Sequence, residues 1–286
     1  MKKLICLLIT VLMSLSVAGA EETPVYLALG DSISAGYGLT DKEARYTDVL
    51  ARQAGYTLIN HAVDGNTAAG ILEQLKDPAV AADVARADVV TITCGGNDLL
   101  VALFDSIAAI YNASVPSETP LTTWDVLYIL NDSNSPRQRA LLLATLIALE
   151  GNPDMGITPF PQSAELAQSL ADYRQNLTTL LSLLRQINPD ARVILATQYS
   201  PYRHFSGLYI TLNTAMDAGA QLLNAVILEC AAALDCETAD VYTAFCGREA
   251  ELMNASMNPL ILDFHPNAAG HEAIARCMLD VLLGGE

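Results

Sequence analysis

Four short polar blocks in the sequence carry the side chains that could do chemistry. Ser32 lies in a Gly-Asp-Ser block directly after the apolar run at 24–29, and Gly65, Asn97 and His265 each lie in one of the other blocks. A serine hydroxyl becomes an effective nucleophile when an imidazole accepts its proton and an acid orients that imidazole. Fixed N–H donors then stabilise the oxyanion. The set predicts nucleophilic catalysis by Ser32 with His265 as the general base.

The elements that must position these blocks are strands alternating with helices. Apolar or β-branched runs predict strands at 24–29, 57–63, 88–94, 192–197 and 238–242. Helical spacing predicts helices at 44–54, 67–75, 99–111, 164–187 and 212–234, and after Asn267. This alternation indicates a parallel sheet covered on both faces, with ligands bound at the carboxyl ends of its strands. Three of the four blocks follow predicted strands, so we expect them at one edge of the sheet.

With these blocks in view, the sequence resembles the GDSL/SGNH hydrolase family. The four blocks read GDSI at 30–33, NHAVDGNT at 60–67, GGND at 95–98 and DFHPN at 263–267. The resemblance implies a three-layer α/β/α fold of the flavodoxin-like type, with a central parallel sheet of about five strands and no metal or organic cofactor. It implies Ser32 as nucleophile and His265 as base. It also implies an oxyanion hole formed by the backbone N–H groups of Ser32 and Gly65 and by the Asn97 side chain.

The acid that would orient His265 departs from the usual family pattern. That pattern has an acid three residues before the histidine, where this chain has Leu262, and Asp263 stands two residues before it. Asp263 can serve as the third catalytic residue if the turn is tighter. Otherwise a backbone carbonyl or a water molecule orients His265, and Asp263 caps a turn or faces solvent.

A segment at about 114–162 interrupts the alternation of strands and helices. It contains six prolines with short apolar stretches between them. We interpret it as a helical insertion after the third strand, forming a subdomain or a lid over the site. A surface excursion without a role in catalysis is the alternative.

The first twenty residues have the layout of a secretory signal peptide. Lys2 and Lys3 precede an apolar run at 4–17, and the small residues 18–20 end at Ala20, where cleavage is expected. An uncleaved anchor is the alternative, but the run is shorter than the roughly 20 residues that span a bilayer. We therefore expect an exported protein with a single hydrolase domain at 21–286 and no stable insertion into the membrane.

Composition and cysteine usage set further limits on the function. The formal net charge of −17 disfavours binding to nucleic acid. Export permits disulfides, and both Cys230 with Cys236 and Cys246 with Cys277 are possible pairs, although sequence alone does not fix the connectivity. Cys94 lies in a predicted strand and is expected to be a buried free thiol.

The function predicted from these observations is a secreted serine esterase of the lipase/acylhydrolase class. The substrate would be an ester of a small molecule, a lipid or an acylated carbohydrate, and nothing in the sequence selects among them or fixes the oligomeric state. Two alternatives remain open: acyl transfer at the same site, and a non-catalytic carbohydrate-binding or surface-binding module on the same fold.

Overall fold

The computed structural model describes residues 23–115, 117–131, 136–149, 156–201, 203, 210–254 and 263–284. The predicted signal peptide at 1–20 and Leu262 lie outside these residues, as do parts of the predicted insertion. Among the described helices, none combines the length and apolar character needed to cross a membrane.

Five parallel strands form one sheet in the order β2-β1-β3-β4-β5. The strands are β1 Val25–Gly30, β2 Thr57–Asn60, β3 Val89–Thr93, β4 Arg192–Ala196 and β5 Glu237–Ala239. This confirms the predicted fold class and places the reversal of strand order between β1 and β3, where ligands bind in open α/β sheets.

Two strands end earlier than the sequence pattern suggested, and a polar side chain ends each of them. Asn60 closes β2 because its side chain accepts a hydrogen bond from the backbone N–H of Ala62 at 2.9 Å. Asp240 follows β5 and caps the next helix by accepting a bond from the N–H of Thr243 at 3.0 Å.

Twelve α-helices lie among the described residues. They are α1 Ser32–Ala35, α2 Tyr46–Ala54, α3 Ala68–Gln74, α4 Pro78–Ala85, α5 Gly96–Ser114, α6 Thr123–Asn131, α7 Pro136–Ala148, α8 Ala164–Ile187, α9 Ile210–Ala233, α10 Val241–Phe245, α11 Glu249–Leu252 and α12 Ala268–Leu283. Short 3₁₀ turns occupy Lys42–Ala44 and Phe160–Gln162. The predicted insertion contributes α6 and α7, which pack on α5.

The sheet separates two apolar cores, as the alternation of side chains along its strands requires. Leu27 and Leu29 of β1 point into the core covered by α3, α4, α5, α8 and α9. Tyr26 and Ala28 point into the opposite core, which α2, α10 and α12 cover. The result is the predicted three-layer arrangement with the carboxyl ends of the strands at one edge.

All five described cysteines are free thiols. Cys94 is buried, as predicted, beside the Tyr173 hydroxyl. Neither candidate pair is joined. Cys246 lies next to Arg203, whereas the Cys277 thiol is directed toward the carbonyl of Asp240.

Candidate active site

Ser32 is held at the end of β1 by a turn that leaves no space for a side chain at Gly30. Gly30 has φ +144°, and a β-carbon there would lie 2.5 Å from Thr93 Oγ1 and 2.6 Å from the Thr93 carbonyl oxygen. The chain therefore passes against β3 and starts α1 at Ser32. Only 8 % of the Ser32 surface is exposed, so the residue that carries the hydroxyl is almost fully buried.

The buried Asp31 fixes this turn from within. Its Oδ1 accepts hydrogen bonds from the backbone N–H of Ile33 at 3.0 Å and from Thr93 Oγ1 at 2.8 Å. Ser34 continues the network through Thr93 Oγ1 at 2.7 Å and the Tyr46 hydroxyl at 2.6 Å. Burial raises the pKa of Asp31 to about 6, although the bonds from Thr93 and Ile33 oppose that shift.

His265 lies between Ser32 and Asp263 in hydrogen-bonding geometry. Its Nε2 is 3.0 Å from Ser32 Oγ, and its Nδ1 is 2.8 Å from Asp263 Oδ1. A carboxylate only accepts, so Nδ1 carries the proton and, in the neutral ring, Nε2 is free to accept the serine proton. The arrangement has the geometry of a serine–histidine–aspartate triad, with a carboxylate bonded to the histidine ring.

The two-residue spacing allows Asp263 to reach the His265 ring because one carboxylate oxygen accepts hydrogen bonds from two donors. Asp263 Oδ1 also accepts the backbone N–H of His265 at 2.9 Å, which closes the tight turn that the two-residue separation requires. Burial raises the pKa of the Asp263 carboxyl, but the bonds from the His265 side chain and backbone outweigh burial and leave it below its ordinary value.

The segment that carries His265 is anchored by bonds to its backbone. The His265 carbonyl accepts from the N–H of Asn254 at 2.9 Å, and the Phe264 carbonyl accepts from the Tyr199 hydroxyl at 2.7 Å. Asn267 then caps α12 by accepting the N–H of Gly270 at 3.0 Å. The ring of Tyr37 lies 4.5 Å from the imidazole between centroids.

Asn97 reaches the same site from the first turn of α5. Gly95 precedes this helix with φ +105°, and a β-carbon there would lie 2.9 Å from the Tyr173 ring. Asn97 Nδ2 donates to the carbonyl of Asn66 at 2.8 Å, and an amide nitrogen has two N–H groups, so one remains for a ligand. This bond ties Asn97 to the exposed turn that contains Gly65.

A cleft of about 470 Å³ opens beside Ser32 and is lined mainly by apolar side chains. Ser32 and Asn97 lie on its wall, whereas Gly65 does not. The lining residues beyond the four sequence blocks are Leu99, Leu100, Gln198, Tyr199, Pro201, Met216 and Ala220. No described residue of the insertion lines this cleft.

These lining residues were not predicted from the sequence, because most of them are apolar and carry no chemical signature. Gln198, Tyr199 and Pro201 follow β4, a position where a binding loop was foreseeable from the topology. Met216 and Ala220 are one helical turn apart on α9, the spacing of any apolar helix face.

Comparison with solved structures finds the same fold in several lipolytic enzymes. A lipase from a goat rumen metagenome is 22 % identical, with a TM-score of 0.59, and 91 % of this chain and 97 % of that chain are covered. Phospholipase A1 from Streptomyces albidoflavus is 21 % identical with a TM-score of 0.57, over 92 % of this chain and 100 % of that one. At these identities the likeness shows a shared fold.

Sequence comparison identifies the family. The uncharacterised protein YpmR of Bacillus subtilis is 23 % identical over 275 residues, which cover 90 % of this chain and 80 % of that protein. The model of the GDSL-like lipase/acylhydrolase family matches residues 28–273, a span that includes all four blocks and both partners of the Ser32–His265 contact. The chain therefore belongs to the GDSL-like lipase/acylhydrolase family and is a hydrolase.

Proposed function

We propose that this protein is an exported serine esterase that cleaves carboxylic esters through an acyl-enzyme on Ser32. The observation that carries the proposal is the 3.0 Å contact between His265 Nε2 and Ser32 Oγ, made while Asp263 holds Nδ1 at 2.8 Å. Distances of this size allow direct proton transfer from hydroxyl to imidazole.

In the first half of the reaction, Ser32 Oγ attacks the ester carbonyl while its proton passes to His265 Nε2. The ionised Asp263 then faces an imidazolium and stabilises it. The free N–H of Asn97 and the backbone N–H groups of Ser32 and Gly65 would hold the oxyanion. His265 gives its proton to the leaving alcohol, and the C–O bond to that alcohol breaks.

In the second half, a water molecule takes the place of the alcohol. It donates a proton to His265 Nε2 as its oxygen attacks the acyl carbonyl, and the proton returns to Ser32 Oγ as the carboxylic acid leaves. The apolar wall of the cleft favours an acyl group with an aliphatic chain. Similar structures described as a lipase and a phospholipase A1 are consistent with that substrate class.

Export is part of the proposal and depends on the composition of the first twenty residues. Cleavage after Ala20 would release a mature single-domain enzyme that begins at Glu21. Expression of the full chain in a bacterial host, followed by N-terminal sequencing of the protein outside the cytoplasm, tests this part. A protein that keeps Met1 and stays in the cytoplasm would contradict it.

Hydrolysis of p-nitrophenyl acetate, butyrate and octanoate by the protein from Glu21 onward tests the catalytic proposal. Turnover should vanish in Ser32→Ala and persist in Ser117→Ala, which removes an exposed serine of the insertion. A fluorophosphonate should label the wild type at Ser32. Equal background rates in all three proteins, together with no labelling, would reject the esterase.

A further inference from the structure

On the side of the cleft formed by α5 and α9, two large side chains lie against a glycine. Leu99 lines the cleft from α5, and Gly219 lies on α9 between the lining residues Met216 and Ala220. A β-carbon at Gly219 would lie 2.9 Å from Leu99 Cδ1 and 3.3 Å from Phe160 Cε1. Leu99 and Phe160 therefore converge on the space that a side chain at Gly219 would need.

A second cleft of about 580 Å³ has Phe160 in its lining. Its apolar lining includes Phe160 together with Ile110 and Ile157, and Ser106 lies on its wall without any hydrogen-bond partner for its buried hydroxyl. Leu99 lines the first of these two clefts and Phe160 the second. Because both side chains lie against the position of Gly219, the two clefts approach each other there.

Phe160 is held firmly in this position. It starts a 3₁₀ turn, in which its N–H donates to the carbonyl of Ile157 at 2.9 Å, and Ser163 directly after the turn caps α8 at 3.1 Å. Its side chain is 2 % exposed. A ring fixed by its backbone and by close packing acts as a stop and does not yield to a ligand at low cost.

We propose that Leu99 and Phe160 form the wall that ends the acyl cleft and sets the longest acyl chain the enzyme accepts. This inference rests on the proposed esterase function. Each methylene that enters apolar space strengthens binding, so reactivity should rise with chain length until the chain meets this wall. Shortening Leu99 would deepen the first cleft toward Phe160, and shortening Phe160 as well would connect it to the second cleft and admit still longer chains.

The test is the dependence of kcat/KM on chain length, measured with p-nitrophenyl butyrate, octanoate, dodecanoate and hexadecanoate. In Leu99→Ala the ratio of dodecanoate to butyrate reactivity should rise, and in the double variant Leu99→Ala/Phe160→Ala it should rise roughly tenfold or more, because several methylenes then gain apolar space. Phe160→Leu should give a smaller shift. Ile110→Ala enlarges the second cleft away from the wall and should leave the ratio unchanged.

The outcomes separate this inference from the esterase proposal. No turnover of any ester by the wild type would reject the esterase itself. Turnover by the wild type, with thermal unfolding showing folded variants whose chain-length profiles match the wild type, would reject the wall. An equal shift in Ile110→Ala would also reject it, since loosened packing would then account for the change.

Discussion

Ser32 and His265 meet at one point of the site but are held there by different means. Ser32 ends the buried strand β1, and the buried network of Asp31, Ser34 and Thr93 fixes its turn against β3. His265 is held by a few hydrogen bonds of its segment, two to Asp263 and one each from Asn254 and Tyr199 to the backbone. Ser32 is therefore part of the folded core, whereas the His265 side chain can be altered with little damage to that core.

Among the variants that test this difference, His265→Ala is expected to have the largest effect. Loss of the base should lower kcat by about 10⁴-fold or more, because a catalytic serine without its base loses almost all of its advantage. The melting temperature should change little, since the imidazole packs against the half-exposed ring of Tyr37. Ester hydrolysis and thermal unfolding measured on one preparation check both parts.

His61→Gln is the matched control for this variant, because His61 is paired with Asp83 at 2.7 Å outside the Ser32 cleft. It should retain the wild-type rate. Strong destabilisation of the His265 variant would show that His265, like Ser32, is part of the folded core.

A smaller loss is expected from Asp263→Ala. The Asp263 side chain is 30 % exposed, so water can replace part of its hydrogen bonding to Nδ1. We expect kcat to fall by roughly 10²- to 10³-fold, less than for His265 and with nearly unchanged stability. A rate close to that of the wild type would mean that a backbone carbonyl or water orients His265, and the enzyme would then work with two residues.

The sequence could predict the layers and the five strands, because these depend on apolar periodicity. The candidate site residues came from side chains with distinctive chemistry, and their catalytic roles stay predictions. The sequence could not decide how Asp263 reaches His265. That contact depends on one carboxylate oxygen that accepts both the backbone N–H and the ring N–H of the same residue. Spacing along the chain contains no information about such a shared acceptor.

The helix α4 and the wall of the cleft were missed for different reasons. The α4 signals were present, because Asp77 caps the helix and Pro78 occupies its first turn. The wall depends on Leu99, Phe160 and Gly219, which come from three separate parts of the chain. Only tertiary packing brings them together, and apolar residues give no indication of their partners.

Next to Ser32, the variant Asp31→Asn should show that the ionised Asp31 carboxylate lowers the stability of the folded protein. Burial raises the pKa of Asp31 to about 6, so the folded protein binds this proton more tightly than the unfolded chain. Stability from this group therefore falls as pH rises from about 4 to about 6, and the deficit of about 3 kcal/mol persists above pH 6. Asparagine keeps an acceptor for Ile33 and Thr93 and carries no charge.

Urea unfolding at pH 8.0, 6.0 and 4.5 measures this difference between Asp31→Asn and the wild type. The variant should be the more stable protein at pH 8.0, and its advantage should shrink as pH falls. Other titrating groups are common to both proteins and cancel in the difference. A stability difference that does not change with pH, or that is absent at pH 8.0, would show that the ionised Asp31 carboxylate does not destabilise the folded protein.

The smallest effect is expected from Asn267→Ala, at the start of α12. Asn267 caps α12 and donates to the carbonyls of Glu251 and Met253 at 2.7 and 3.1 Å, two residues after His265. Loss of the cap should cost about 1 kcal/mol of unfolding free energy. The freed segment should also lower kcat severalfold at unchanged KM.

Asp77→Ala is the matched control, since it removes the cap of α4, a helix that does not line the Ser32 cleft. A similar loss of stability without any loss of kcat is expected there. If both variants lower kcat equally, the rate follows global stability. If only Asn267→Ala does so, the position of the base depends on its own segment, as the local hydrogen bonds of His265 imply.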